Sequence, residues 1–155
     1  MTMPGVGAAA DTMSNLARCE LVEPIREFIA GGRPFLGVCM GLQALLTVSE
    51  EGGEHPCLDI VPGRVRRLPN GLKVPHMGWN QVRQRRAHPV FEGIPDGAFF
   101  YFVHSYYADP IDESVIVGDT DYGVIFAAVV ARDNIVATQF HPEKSGEAGL
   151  RFYEN

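Results

Sequence analysis

A cysteine stands at the junction of two sequence patterns near the end of the first quarter of the chain. The apolar run Pro34–Val38 predicts a short buried strand, and apolar residues at helical spacing over 41–46 predict a helix. Cys39 lies between them, flanked by Gly37 and Gly41. Small neighbours allow the chain to bend sharply, so the pattern predicts a strained strand-to-helix turn that presents the thiol. This is the nucleophile-elbow arrangement with sulfur in place of a serine oxygen.

Two interpretations of Cys39 follow from this local pattern. In the first, the helix N-terminus directs its free N–H groups at the sulfur and lowers the pKa of the thiol, which produces a nucleophile. In the second, Cys39 is a structural residue, since free cysteine is among the most buried residue types. The local pattern does not decide between them.

A base and an orienting acceptor for that thiol occur about a hundred residues downstream. His141-Pro142-Glu143 follows the apolar strand pattern 135–140. The spacing of two residues lets the imidazole and the carboxylate emerge on the same side of the strand end, and Pro142 stiffens the turn. A nucleophile needs such a base, and the base needs such an acceptor. Taken alone, the same triplet also suits a solvated strand terminus.

Together, these motifs resemble those of the class I, or triad, glutamine amidotransferases. Gly37–Gln43 resembles their nucleophile motif, and His141–Glu143 resembles the two other triad members. Within the class, Pro4–Gly7, Pro75–Asn80 and His141–Ser145 resemble the glutaminase subunits of imidazole glycerol phosphate synthases. The resemblance implies an α/β fold, with a flavodoxin-like mixed sheet flanked by helices.

The resemblance also implies a reaction and a set of site residues. The reaction is hydrolysis of L-glutamine to glutamate and ammonia through a Cys39 thioester, with His141 as the base and Glu143 as its acceptor. The further roles implied are oxyanion-hole donors at Val6 and Met40, substrate contacts at Gly5, Gly7, Gln43, Glu51, Ser105 and Tyr106, and partner contacts at Trp79, Asn80 and Lys144. The implied partner is a (β/α)8-barrel cyclase subunit that uses the ammonia in histidine biosynthesis. No cofactor or metal is implied.

The sequence departs from that family at its two ends. Family members place a strand, a helix and a second strand before the Pro4–Gly7 turn, whereas this chain begins almost at the turn. We therefore expect a fold that lacks the first strand–helix–strand, an N-terminally truncated member, and a shortened terminal helix. A class I glutaminase of another pathway, a catalytically silent fragment, and a cysteine peptidase or hydrolase of related elbow fold remain alternatives.

The composition of the chain excludes several other classes of protein function. A chain of 155 residues with 46% hydrophobic and 21% charged residues is expected to form one globular domain over residues 1–155. A formal net charge of −6 argues against nucleic-acid binding, and neither a membrane-length apolar run nor a signal peptide is evident. Three irregularly spaced cysteines without a CxxC pair suit neither zinc nor disulfides, and favour a reducing, cytoplasmic setting.

Two local expectations concern the segments around the motifs. Asp11 is expected to cap the first helix. Pro75–Asn80 fits neither a strand nor a helix and is expected to form an ordered loop. Trp79 within it is interpreted either as an exposed partner contact or as a half-buried core residue.

Overall fold

The computed structural model describes residues 1–155, which form twelve β-strands and four α-helices. The strands are β1 (Thr2–Met3), β2 (Phe35–Val38), β3 (Val48–Ser49), β4 (His55–Pro56), β5 (Gly63–Arg67), β6 (His76–Gln81), β7 (Arg83–Gln84), β8 (Phe99–His104), β9 (Tyr106–Pro110), β10 (Ile116–Asp121), β11 (Ile125–Arg132) and β12 (Ile135–Thr138). The helices are α1 (Ala9–Arg18), α2 (Val22–Ala30), α3 (Met40–Gln43) and α4 (Gly146–Glu154). None of these helices is long and apolar enough to span a membrane.

A six-stranded mixed sheet, in the order β1-β2-β12-β11-β10-β7, positions the two chemical motifs. Strands β1, β2 and β12 run parallel, and the remaining pairs are antiparallel. Val38 at the end of β2 is paired with Thr138 at the end of β12. Because parallel strands end at the same edge, Cys39 and His141 are delivered to one edge of the sheet.

The core lies on both faces of this sheet because successive strand residues point in opposite directions. In β12, Ile135 and Ala137 join one apolar cluster, while Val136 packs against the other. Ile25 of α2 belongs to the first cluster and Phe152 of α4 to the second. The arrangement confirms the expected α/β architecture of a mixed sheet flanked by helices.

The segment expected to be a loop is a strand. Residues 76–81 form β6, which pairs with β8 in an antiparallel ribbon with His76 opposite His104 and Trp79 opposite Tyr101. Alternate residues of β6 face inward, as the pleat requires, but the inward positions hold His76, Gly78 and Asn80 instead of apolar side chains. The usual alternation of apolar and polar residues is therefore absent, and the strand was not recognisable from composition.

A separate four-stranded sheet has the strand order β4-β3-β5-β9.

Two helices also differ from expectation. The elbow helix α3 is only four residues long, after which the chain turns, although Leu45 and Leu46 are fully buried as their spacing suggested. Helix α1 begins at Ala9, so Asp11 lies in its first turn and does not cap it. A carboxylate in that turn still favours the positive end of the helix dipole.

Candidate active site

The backbone at Cys39 is strained in the manner expected of an elbow. Its φ of 53° and ψ of −103° lie in a region of backbone conformation that residues other than glycine rarely adopt. A Cβ added to Gly37 would lie 2.8 Å from backbone atoms of Gly41, and one added to Gly41 would collide with the carbonyl oxygen of Met3. Both glycines are therefore required by close backbone approach, which confirms the predicted tight turn.

His141 and Glu143 are in direct contact. The Nδ1 of His141 lies 2.7 Å from a carboxylate oxygen of Glu143, so Nδ1 carries the proton and donates a hydrogen bond to that oxygen. The opposite nitrogen, Nε2, is buried and has no hydrogen-bond partner in the protein. A neutral imidazole in this tautomer presents a lone pair at Nε2, which is the form that a general base requires.

The environment of the Glu143 carboxylate keeps it ionised. Burial alone would raise the pKa of Glu143, but hydrogen bonds from its own backbone N–H, from His141 and from Tyr153 hold that pKa below its ordinary value. The phenol of Tyr153 on α4 lies 3.3 Å from the second carboxylate oxygen. Glu143 therefore has one oxygen for His141 and a second held by α4.

The Cys39 thiol does not have the lowered pKa that was expected, although the N–H group at the start of α3 acts in the expected direction. Burial raises the pKa of the Cys39 thiol to about 11, and the negative charges of Glu143 and Glu51 act in the same direction. Hydrogen bonds from the Met40 backbone N–H and the Gln139 amide oppose this rise without offsetting it. A helix of one turn contributes little dipole to counter burial. The resting nucleophile is therefore a thiol, which must lose its proton during the attack.

Gln139 is a site residue that the sequence reasoning missed. Its amide nitrogen lies 3.6 Å from the sulfur of Cys39, and its amide oxygen accepts a hydrogen bond of 3.1 Å from Gln43. Gln139 is fully buried. It precedes His141 by two residues, so the period of two along an extended segment was the available signal. Tyr153 was also missed, and it carried no comparable signal because it lies on a different element.

A cleft of about 370 Å³ opens over Cys39. It brings together all the residues proposed for the nucleophile, the base, the oxyanion hole and the substrate contacts: Gly5, Val6, Gly7, Cys39, Met40, Gln43, Glu51, Ser105, Tyr106 and His141. Glu143 does not line the cleft and instead contacts His141 from behind. The remaining lining residues are Pro75, Val103 and His104. Segments from five regions of the sequence thus form the wall of one cleft.

The side chains of two proposed substrate contacts, Gln43 and Glu51, already make hydrogen bonds within the protein. The amide nitrogen of Gln43 donates to the carbonyl oxygen of Tyr106 at 2.9 Å as well as to Gln139. A carboxylate oxygen of Glu51 accepts from the backbone N–H of Ala9 at 2.9 Å, which ties it to the start of α1. These bonds hold both side chains in place at the cleft wall.

The three proposed partner contacts lie on or beside the β6–β8 ribbon, but their side chains do not share one face. Trp79 is 55% exposed, so the half-buried core interpretation does not hold. Lys144 lies beside it, with Nζ 5.9 Å from the ring centroid of Tyr101. Asn80 projects to the opposite side of the strand, where its amide nitrogen donates to the carbonyl oxygen of Asp121 at 3.1 Å.

Comparison with known proteins places the chain in a family. The family model described as "Glutamine amidotransferase class-I" matches residues 2–155. Together with the elbow cysteine, the His–Glu pair and the mixed sheet, this match shows that the chain belongs to the class I glutamine amidotransferase family.

Within this family, the chain is similar to curated proteins named imidazole glycerol phosphate synthase subunit HisH. It is 55% identical over 153 residues to the protein of that name from Dehalococcoides mccartyi strain CBDB1, covering 99% of this chain and 75% of the relative. It is likewise 55% identical to that of Moorella thermoacetica, with 99% and 73% covered, and 53% identical to that of Chloroflexus aurantiacus, with 100% and 75% covered.

Solved structures show the same fold at lower sequence identity. A glutamine amidotransferase from Thermotoga maritima superposes with a TM-score of 0.68 at 20% identity, covering 99% of this chain and 60% of that one. A second glutamine amidotransferase structure gives a TM-score of 0.72 at 19% identity, covering 98% and 75%. These likenesses support the class I fold.

Proposed function

We propose that this chain is a glutaminase that hydrolyses L-glutamine to glutamate and ammonia. The observation that carries the proposal is that Cys39 and His141, whose Nε2 has no hydrogen-bond partner in the protein, line the same cleft. His141 takes the thiol proton as the sulfur attacks the side-chain amide carbon, and then gives it to the departing ammonia. Water activated by His141 hydrolyses the resulting thioester to glutamate.

The other cleft residues have separate roles in this proposal. Each tetrahedral intermediate carries an oxyanion, for which the backbone N–H groups of Met40 and Val6 are the proposed donors. Val6 makes no hydrogen bond through its N–H within the protein, so that donor is free. Glu51 is proposed to hold the α-amino group of glutamine, and the backbone at Ser105 and Tyr106 its α-carboxylate.

We further propose that the ammonia passes to a (β/α)8-barrel cyclase subunit, with which this chain forms a heterodimer in histidine biosynthesis. The names of the 50–55% identical relatives support this assignment. An exposed apolar face on the β6–β8 ribbon supports a protein partner, since Met77, Trp79 and Phe99 are 61%, 55% and 55% exposed. We call Met77, Trp79, Phe99 and Tyr101 the apolar ribbon face. A biosynthetic role of this kind suits a cytoplasmic location.

The test is glutamate release by the chain mixed with a barrel cyclase subunit and its nucleotide ligand. We expect release from the wild type and from Cys19→Ala, the control at an exposed thiol, and none from Cys39→Ala. Release that persists in Cys39→Ala would refute the nucleophile assignment. A folded, complex-forming wild type without release would support the silent-fragment alternative, and complex formation only with another synthase would support a different pathway.

A further inference from the structure

Two buried histidines that the proposed reaction does not use lie beside the cleft. His76 and His104 are 3% and 6% exposed and face each other across the β6–β8 ribbon. The Nδ1 of His76 lies 2.9 Å from the Nε2 of His104. The ring of His76 stacks on that of Tyr122 at 3.9 Å and on that of Phe102 at 5.0 Å, which fixes its plane.

The hydrogen bonds of this pair determine which nitrogen carries each proton. The Nδ1 of His104 lies 2.8 Å from the carbonyl oxygen of Tyr106, and a carbonyl can only accept, so this Nδ1 is protonated. In the neutral ring, Nε2 of His104 is then an acceptor, and the Nδ1 of His76 must donate to it. The remaining Nε2 of His76 accepts from the amide nitrogen of Asn80 at 3.3 Å.

The orientation of the Asn80 amide is fixed independently. Its nitrogen also donates to the carbonyl oxygen of Asp121, and its oxygen accepts from the backbone N–H of Gln81 at 2.8 Å. Every group from Asn80 to His104 therefore has one consistent role. A proton added to either ring would place a donor against a donor, so this series of hydrogen bonds requires both rings to be neutral.

The hydrogen bonds of the histidine pair lead to the Tyr106 carbonyl at the glutamine cleft. The Tyr106 carbonyl that accepts from His104 also accepts from the Gln43 amide, which bonds to Gln139, whose own amide nitrogen lies beside the Cys39 sulfur. A continuous path of hydrogen bonds thus joins Asn80 of the ribbon to the nucleophile. His104 itself lines the cleft.

We infer that His76 and His104 are positioning residues, a neutral pair in fixed tautomers that, through its hydrogen bond to the Tyr106 carbonyl, holds the backbone at Tyr106 in the orientation needed to bind glutamine. The pair connects this carbonyl to Asn80, which follows Trp79 of the apolar ribbon face. The inference rests on the proposed function, because it assigns the pair to the binding of glutamine.

The first experiment determines the tautomers of the histidines and requires no measurement of enzyme activity. Long-range ¹H–¹⁵N NMR spectra of histidine-labelled protein should show His76, His104 and His141 protonated at Nδ1. His55 and His88 are the internal controls, since the Nε2 of His55 bonds to a carbonyl oxygen and the Nδ1 of His88 accepts from a backbone N–H, so both should be protonated at Nε2. Nε2 protonation of His76 or His104 would overturn the inference.

The second experiment measures glutaminase kinetics in the complex with the barrel subunit. His76→Phe keeps the ring stacking and removes both hydrogen bonds, and we expect kcat/KM for glutamine to fall about tenfold, mainly through KM. His88→Phe, a matched change outside the path, should behave as the wild type. His104→Asn should recover part of the loss seen in His104→Phe, because Asn can still donate to the Tyr106 carbonyl.

The outcomes separate the two proposals. Wild-type KM in both His76→Phe and His104→Phe would reduce the pair to a structural role and overturn the inference while the glutaminase assignment stands. Should His76→Phe fail to fold, the His104→Asn and His104→Phe comparison decides. Absence of activity in the wild type would refute the proposed function, and glutamine affinity in the Cys39→Ala background, compared with and without His76→Phe, would then decide whether the pair supports binding.

Discussion

At the scale of single residues, the site combines a base that is ready with a nucleophile that is not. His141 is held in one tautomer by Glu143, with Nε2 free to accept a proton. Cys39 is a neutral thiol, because burial raises its pKa to about 11. The attack on glutamine must therefore be coupled to proton transfer from sulfur to Nε2. A permanently ionised thiolate would not need this coupling.

Gln139 should influence the reactivity of Cys39 directly. In Gln139→Leu the amide donor to sulfur is lost, so the thiolate is less stabilised and the pKa of Cys39 should rise further. We expect alkylation of Cys39 by iodoacetamide near pH 9 to slow roughly three- to tenfold, the value of one hydrogen bond. Peptide-resolved mass spectrometry measures this, with the exposed Cys19 of the same molecule as the control. An unchanged Cys39 rate beside an unchanged Cys19 rate would refute the role of Gln139.

At this scale, the features that could be predicted from the sequence are those that depend on residues close together in the chain. The elbow at Cys39 and the His141–Glu143 pair are recognisable because each depends on neighbours within a few residues. The pKa of Cys39 could not be predicted, since the desolvation and the charges of Glu51 and Glu143 come from segments distant in sequence. Gln139 lies two residues from a predicted site residue, but its contact with Cys39 joins positions 100 residues apart.

At the scale of elements, the parallel pairing of β2 with β12 creates the site. The register sets the two strand ends side by side, and the close approach at Gly37 and Gly41 turns the chain at Cys39. Strand β6 could not be predicted from the alternation of apolar and polar residues, because its inward face carries His76 and Asn80, whose partners lie on other elements. A polar inward face resembles a loop until those partners are known.

The elbow should not tolerate a larger residue at Gly37. The Cβ of Gly37→Ala would lie 2.8 Å from backbone atoms of Gly41, which cannot move as a flexible side chain could. We expect a loss of about 1 to 3 kcal/mol in the free energy of unfolding, measured by urea titration. Gly31→Ala is the control, since its nearest atom is 3.2 Å away at a helix end, and it should lose less. Equal losses in the two variants would contradict this account of the elbow.

The histidine pair should make the fold sensitive to mild acid. Burial lowers the pKa of His76 and of His104 to about 4, whereas an unfolded histidine titrates near 6.5. The unfolded state therefore binds protons first as the pH falls, so stability decreases between about pH 6.5 and pH 4. From about pH 6.5 to pH 5, we expect the pair to cost about 2 to 3 kcal/mol in the free energy of unfolding.

Urea titrations at these two pH values measure the effect. The double variant His76→Phe/His104→Phe should lose much less stability over the same interval, although it starts from a lower value. His88→Phe is the single-site comparison: burial also lowers the pKa of His88, so this variant should remove a smaller part of the decrease than the double variant does. A double variant with the full wild-type decrease would show that other groups cause the acid sensitivity.

At the scale of the whole molecule, the ribbon separates two functions. Its inward face holds the polar path to the glutamine cleft, and its outward face carries the exposed apolar side chains. Trp79 and Tyr101 face each other in register with ring centroids 6.0 Å apart, and Lys144 lies beside Tyr101. A partner bound to the outward face would contact the strand whose other face reaches the cleft.

Removal of Trp79 should weaken the proposed complex without changing the fold. Trp79→Ala deletes an exposed aromatic of the kind that dominates protein interfaces, and we expect the Kd for the barrel subunit to rise about 30-fold, equivalent to about 2 kcal/mol. Isothermal titration calorimetry measures this. Ile111→Ala, 80% exposed at the end of β9 in the other sheet, is the control and should bind normally. Equal affinities for Trp79→Ala and wild type would exclude this face as the interface.

The most direct test of the account is the covalent intermediate itself. The chain in complex with the barrel subunit is mixed with glutamine, quenched in acid within the first turnovers and digested for mass spectrometry. We expect a glutamyl thioester on the peptide that contains Cys39, absent from Cys39→Ala, with no adduct at Cys19 or Cys57. Glutamate formation with no adduct at Cys39, and at the same rate in Cys39→Ala, would contradict this expectation.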